Sequence, residues 1–128
     1  MKKALIWDPD DLIRTLLREV LEYHGFSVLE AECHERALNL LRSDEVDLIL
    51  FDWNSESLGG AEQLCDFRSL PTGPRFIALG SCIPEQESLV ERDAKSAGAA
   101  HLLLKPFGAQ DLMRAVDSAL NGSCPVFP

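Results

Sequence analysis

Five short apolar runs, each followed by an amphipathic stretch, constrain this chain more than any other feature. The runs are Ala4–Trp7, Phe26–Leu29, Val46–Asp52, Arg75–Leu79 and His101–Leu104. Near-continuous apolar runs of this length suit strands buried on both faces of a parallel sheet. Between the first two, Leu12, Ile13, Leu16, Leu17, Val20 and Leu21 make a helical stripe. Cys33, Ala37, Leu40 and Leu41 mark a second helix, and Ala61, Leu64, Cys65 and Arg68 a third, opened by Gly60. Glu85–Ala97 offers only Leu89, Val90, Ala94 and Ala97 as an apolar side, so it is expected to be the exposed helix of the set. Ala109–Leu120 carries Leu112, Met113, Val116, Ala119 and Leu120. Gly25 and Gly98 stop helices, and Pro71 and Pro74 punctuate a connection.

Strict strand–helix alternation requires right-handed crossovers with helices on both sheet faces. The expected fold is therefore α/β, a (βα)5 doubly wound parallel five-stranded sheet in the flavodoxin-like order 2-1-3-4-5. The 128 residues suit one domain, expected over 1–121, with 122–128 (GSCPVFP, after Asn121) as an irregular tail. The formal net charge of −9 repels phosphate backbones, which argues against direct nucleic-acid binding. Cys33, Cys65, Cys82 and Cys124 lack metal-ligand spacing, and Cys33 and Cys65 are expected as small buried hydrophobes in a reducing compartment. The opening MKKALIWD turns acidic too soon for a secretory signal, and no run reaches transmembrane length. A cytoplasmic protein without membrane contact is expected.

The strand order sets the chemistry. Ligands of open α/β sheets gather at the carboxyl ends of the strands near the switch point, here between the first and third. Asp52 closes the third strand, while Asp8, Asp10 and Asp11 follow the first and are expected to converge with it; Lys105 approaches from the fifth. Each carboxylate pair at about 5 Å costs on the order of 3 kcal/mol at an effective dielectric near 20. Such a cluster persists only if a cation relieves it or the side chains splay into solvent, and Mg²⁺ accepts carboxylates, a carbonyl and waters while leaving room for a phosphate oxygen. A carboxylate beside Mg²⁺ can attack phosphorus to form an aspartyl phosphate, and a lysine opposite would neutralise the phosphoryl oxygens.

From Lys3 to about Leu120 the chain resembles the response-regulator receiver domains of two-component signalling. The resemblance is carried by Asp8, by Arg14 within the first helical stripe, by Asp52 followed by Leu58-Gly59-Gly60, by Gly98-Ala99 and by Lys105-Pro106-Phe107. It implies that Asp52 is the phosphoacceptor, served by a histidine kinase or phosphotransfer protein. Mg²⁺ would sit on Asp8, Asp52 and the Asn54 carbonyl. Lys105 would bind the acyl phosphate, and Pro106 would follow a cis peptide bond. An output protein or domain would read the surface made by the fourth strand, the helix after it, the fifth strand and the last helix.

Several positions depart from the family. Pro9 stands where a direct Mg²⁺ ligand is normal, so Mg²⁺ binding is expected to be weak or absent. Gly80 replaces the hydroxyl residue that grips the phosphoryl group, with Ser81 one place later as a displaced phosphate contact. Leu102 replaces the aromatic switch residue, and Glu56 a proline. These changes imply impaired phosphorylation, or a phosphorylation-independent interaction module. A third reading is a small phosphatase, because Asp8-Pro9-Asp10 has the D-x-D form of haloacid-dehalogenase-like enzymes. Asp8-Pro9-Asp10-Asp11 also suits a plain helix start, with cap, first-turn proline and dipole-matched acids. His24, His34 and His101 read as surface residues, and Trp7 and Trp53 as packing residues, with Trp53 a candidate cover for the pocket.

Overall fold

The computed structural model describes residues 2–53, 74–81, 84–97 and 99–120. Five strands, β1 (Lys3–Trp7), β2 (Ser27–Ala31), β3 (Leu48–Asp52), β4 (Arg75–Gly80) and β5 (His101–Leu104), form one sheet in the order β2-β1-β3-β4-β5. Every pairing is parallel. This is the predicted fold and strand order. The third helix expected around Ala61–Arg68, together with Cys65, Cys82, Cys124, Gly98 and the 122–128 tail, lies outside the described residues.

Helix α1 (Asp11–Tyr23) starts at Asp10, whose side chain accepts from the backbone N–H groups of Leu12 and Ile13. It ends at Gly25, whose φ of 90° reverses the chain at little cost because glycine has no Cβ. That turn delays β2 to Ser27, one residue later than the apolar run suggests. Helix α2 spans His34–Ser43, a short 3-10 turn covers Pro84–Gln86, and two further helices span Glu87–Ala97 and Ala109–Leu120.

The sheet is covered on both faces. Ala4, Ile6, Leu48, Leu50, Ile77 and Leu79 pack against Leu17 and Leu21 of α1 and against Leu112, Val116 and Ala119 of the last helix. On the other face Leu5, Trp7, Ile49, Phe51 and Phe76 meet Ala37 and Leu41 of α2. Burying each large aliphatic side chain contributes about 2 kcal/mol. Trp7 stacks on Phe51 with centroids 4.3 Å apart, and Trp53 meets Phe51 edge-on, so both tryptophans pack as expected.

Four expectations need correction. The α1 stripe is too wide for one buried face: Leu17 and Leu21 are buried, whereas Leu12 and Leu16 are 65% and 50% exposed. At 3.6 residues per turn, positions 12 and 16 form a row beside the one that meets the sheet. Leu89 is likewise exposed, on a helix that is otherwise largely solvated as predicted. Cys33 is exposed because it occupies the cap position before α2 rather than the helix itself. His34 and His101 are partly buried, His34 with its ring against Trp7; His24 is exposed.

Candidate functional site

The register pairs Trp7 with Phe51, so Asp8 and Asp52 stand side by side one residue further on. Both follow the side-chain alternation of Ile6 and Leu50, which places them over the sheet face that carries α1 and the last helix. Lys105 leaves β5 two residues after Leu103, on the same face. Its backbone N–H donates to the Gly80 carbonyl at 2.7 Å, and the bond to Pro106 is cis, as the family resemblance implied.

The three side chains meet. The Lys105 ammonium donates to Asp8 Oδ2 at 3.2 Å and to Asp52 Oδ1 at 3.0 Å. Asp8 is the one buried charged residue among the described residues, with 1% of its surface exposed. Its Oδ1 accepts from the Asp10 N–H at 2.8 Å. Its own N–H donates to the Ala31 carbonyl and its carbonyl accepts from Arg14 Nη1. A buried carboxylate requires this degree of hydrogen bonding to remain tolerable.

Charge and burial compete in this pocket. Burial pushes the Asp8 carboxyl above its ordinary pKa and the charge on Asp52 adds to the rise, against the Asp10 N–H and Lys105, which stabilise the carboxylate. Burial also works against the Lys105 charge. The hydrogen bond to Asp52 and the fields of Asp8 and Asp52 outweigh it, leaving the ammonium harder to deprotonate than usual. The cation that the acidic pair needs is thus supplied from within the chain.

Asp10 and Asp11 do not join this cluster. The Asp10 carboxylate is committed to capping α1, and Asp11 is exposed and pairs with Arg14. Pro9 turns the chain between Asp8 and Asp10, so consecutive acids point in different directions. The plain helix-start reading of Asp8–Asp11 therefore holds for Asp10 and fails for Asp8. Pro9 is exposed and brings no side-chain oxygen. Asn54, the expected source of a carbonyl ligand, and the Glu56 to Gly60 positions lie outside the described residues. As a metal-binding set the described residues offer two carboxylates with an ammonium between them, chemistry that fits Mg²⁺ weakly.

Gly80 and Leu102 are neighbours at the edge of the pocket. A Cβ on Gly80 would stand 3.2 Å from Leu102 Cδ1 and 3.8 Å from the Trp53 carbonyl, so a larger residue here would require the Leu102 side chain to give by a few tenths of an ångström. Leu102 packs with Trp53 over Ala78, Ala94 and Ala99, joining the pocket edge to the Glu87–Ala97 helix. Ser81 is exposed and lines a groove with Lys105 and Phe107. Sequence reasoning missed Glu30, which lies on β2 and binds both Arg14 and Arg18. The available signal was a lone acid directly after the apolar pair Val28-Leu29.

The chain has relatives among known proteins. Residues 4–117 match the family model described as "Response regulator receiver domain". Among curated proteins, the chain is 28% identical over 120 residues to chemotaxis protein CheY of Bacillus subtilis, covering 93% of this chain and 98% of CheY. It is 32% identical over 124 residues to response regulator MprA of Mycolicibacterium vanbaalenii, covering 96% of this chain but only 52% of that protein. A solved receiver-domain structure from Clostridium thermocellum superposes with a TM-score of 0.80 at 25% identity, over 95% of this chain and 96% of that one. With Asp8, Asp52 and Lys105 gathered at the carboxyl edge of a 2-1-3-4-5 sheet, this chain belongs to the response-regulator receiver-domain family of two-component systems.

Proposed function

We propose that Asp52 accepts a phosphoryl group from a histidine kinase or phosphotransfer protein, in a pocket whose response is weakened by Pro9, Gly80 and Leu102. The observation that carries this reading is the Lys105 ammonium shared between Asp8 and Asp52. In the transfer, an Asp52 carboxylate oxygen bonds to phosphorus as the phosphorus–nitrogen bond of a phosphohistidine breaks, and the imidazole keeps the electron pair. Lys105 then pairs with a phosphoryl oxygen, and Asp8 keeps the lysine oriented. Asp8, Asp52 and the Asn54 carbonyl would hold Mg²⁺, which when bound would supply positive charge against the phosphoryl oxygens. Ser81, which lines the groove beside Lys105, would offer its hydroxyl to a phosphoryl oxygen. A phosphohistidine donor of this kind would meet the chain in the cytoplasm, and the net charge of −9 speaks against nucleic acid as a direct partner. Among the described residues no helix is long and apolar enough to cross a membrane.

A second reading is favoured by the contact between Gly80 and Leu102. With that space already filled by an aliphatic side chain, the surface of β4, the Glu87–Ala97 helix, β5 and the last helix would present one form to an output partner whether or not Asp52 is modified. The phosphatase reading loses its second acid, because the Asp10 carboxylate caps α1.

Fluorescence of Trp7 and Trp53 tests these readings. Mg²⁺ is titrated to roughly tens of millimolar, then beryllofluoride is added to wild type, Asp52→Asn and Pro9→Asp. A saturable response lost in Asp52→Asn and tightened in Pro9→Asp is expected. No response in wild type together with partner capture unaffected by Asp52→Asn would replace the first reading with the second.

A further inference from the structure

Between β1 and α1 the chain is fastened by a side chain of the helix. Residue 9 is proline and has no N–H to give. The exit from β1 is instead held through Asp8, whose carbonyl accepts from Arg14 Nη1 at 2.7 Å. Arg14 is itself nearly buried, with a side chain 12% exposed, and its Nε donates to Glu30 Oε1 at 3.3 Å. Glu30 is held again by Arg18 Nη1 at 2.6 Å. A third branch of the Arg14 fork meets Asp11 at the first turn of α1.

A continuous polar chain results. It runs from Glu30 on β2 through Arg14 on α1 to the Asp8 backbone, and from the Asp8 carboxylate through Lys105 to Asp52 on β3. We propose that Arg14, anchored by Glu30, is a positioning residue that fixes the Asp8 backbone and so aims the Asp8 carboxylate at Lys105. Arginine suits the task because its rigid fork reaches a carbonyl and a carboxylate at once, whereas a lysine amine is a single point of contact. The carboxylate has two guides of its own, the Asp10 N–H and Lys105. The first is set by the turn that Arg14 fastens. The consequence for phosphorylation rests on the phosphoacceptor reading; the positioning itself does not.

Amide hydrogen exchange on the full chain tests the positioning directly, because the Asp10 amide donates to Asp8 Oδ1. In Arg14→Ala, Asp10 should exchange faster by about tenfold, the worth of one ordinary hydrogen bond, while amides of β1 and β3 keep their protection. Arg14→Lys should behave as Arg14→Ala. Glu30→Gln, which keeps Arg14 and its contact with the Asp8 carbonyl, should move Asp10 in the same direction by less, and serves if Arg14→Ala does not fold. Beryllofluoride affinity should fall in Arg14→Ala, and should fall no further when Arg14→Ala is added to Asp8→Asn. Asp10 protection that is unchanged, that declines in step with β1 and β3, or that Arg14→Lys restores would overturn the proposal. Wild type that binds no beryllofluoride would refute the phosphoacceptor reading and leave exchange to decide the positioning alone.

Discussion

Replacing Lys105 by methionine would expose the electrostatic balance of the pocket. The side-chain lengths are similar, so the change removes an ammonium with little loss of packing. Asp8 Oδ2 and Asp52 Oδ1 lie 3.2 and 3.0 Å from the nitrogen, so these two oxygens are about 6 Å apart at most. At an effective dielectric near 20 their mutual repulsion is on the order of 3 kcal/mol. Asp52 and Lys105 each keep about a fifth of their side-chain surface in solvent, which screens part of that repulsion. A net loss of about 2 kcal/mol at pH 7 is expected, equivalent to a fall in Tm of roughly 8 °C for a domain of this size.

The pH dependence follows from Asp8. Its carboxyl is raised in the folded state, so above the unfolded value of about 4 the native protein holds the proton more tightly than the unfolded chain. Stability therefore declines as pH rises through that window, and losing Lys105 extends the window upward. The deficit of Lys105→Met should be largest at pH 7 and shrink toward pH 4. Lys105 is also raised; its contribution is complete below about pH 10 and is lost as pH rises through the folded value, a decline that Lys105→Met lacks. Urea unfolding followed by circular dichroism at several pH values measures both. Adding Asp52→Asn to Lys105→Met removes one of the two charges and should recover most of the loss. A variant as stable as wild type at pH 7, or one that Asp52→Asn fails to rescue, would refute this electrostatic account.

Two further substitutions test the packing around the site. Gly80→Ala places a Cβ 3.2 Å from Leu102 Cδ1 and should cost about 1–2 kcal/mol in thermal unfolding, most of it recovered in the double variant with Leu102→Ala. On α1, Leu17→Ala should cost about 3 kcal/mol, whereas Leu16→Ala, half exposed in the neighbouring row, should cost less than about 1 kcal/mol by the same assay.

Much of the site was legible because it depends on strand ends. Asp52 and Lys105 each close an apolar run, and a parallel sheet of known order brings such ends to one edge. Asp8 was legible for the same reason. Its neighbours Asp10 and Asp11 were not, because carboxylates one and two residues past a proline differ in direction, and direction is a matter of backbone angles. The row of α1 that faces the sheet was equally hidden: Leu12 and Leu16 carry the same periodic signal as Leu17 and Leu21. Arg14 and Glu30 are sixteen positions apart along the chain, and nothing local says that one holds the other.

The order of apolar runs and amphipathic stretches by itself determined the βα alternation, the buried parallel sheet and the strand ends at which carboxylates and lysine would meet. Those follow from hydrophobic burial, which reads side-chain type and period alone. Only the tertiary structure decided which acid enters the pocket, that Lys105 is shared between two carboxylates, and that Leu102 fills the space over Gly80. These depend on hydrogen-bond directions and contacts of a few ångströms between residues far apart in the chain, which local periodicity does not encode.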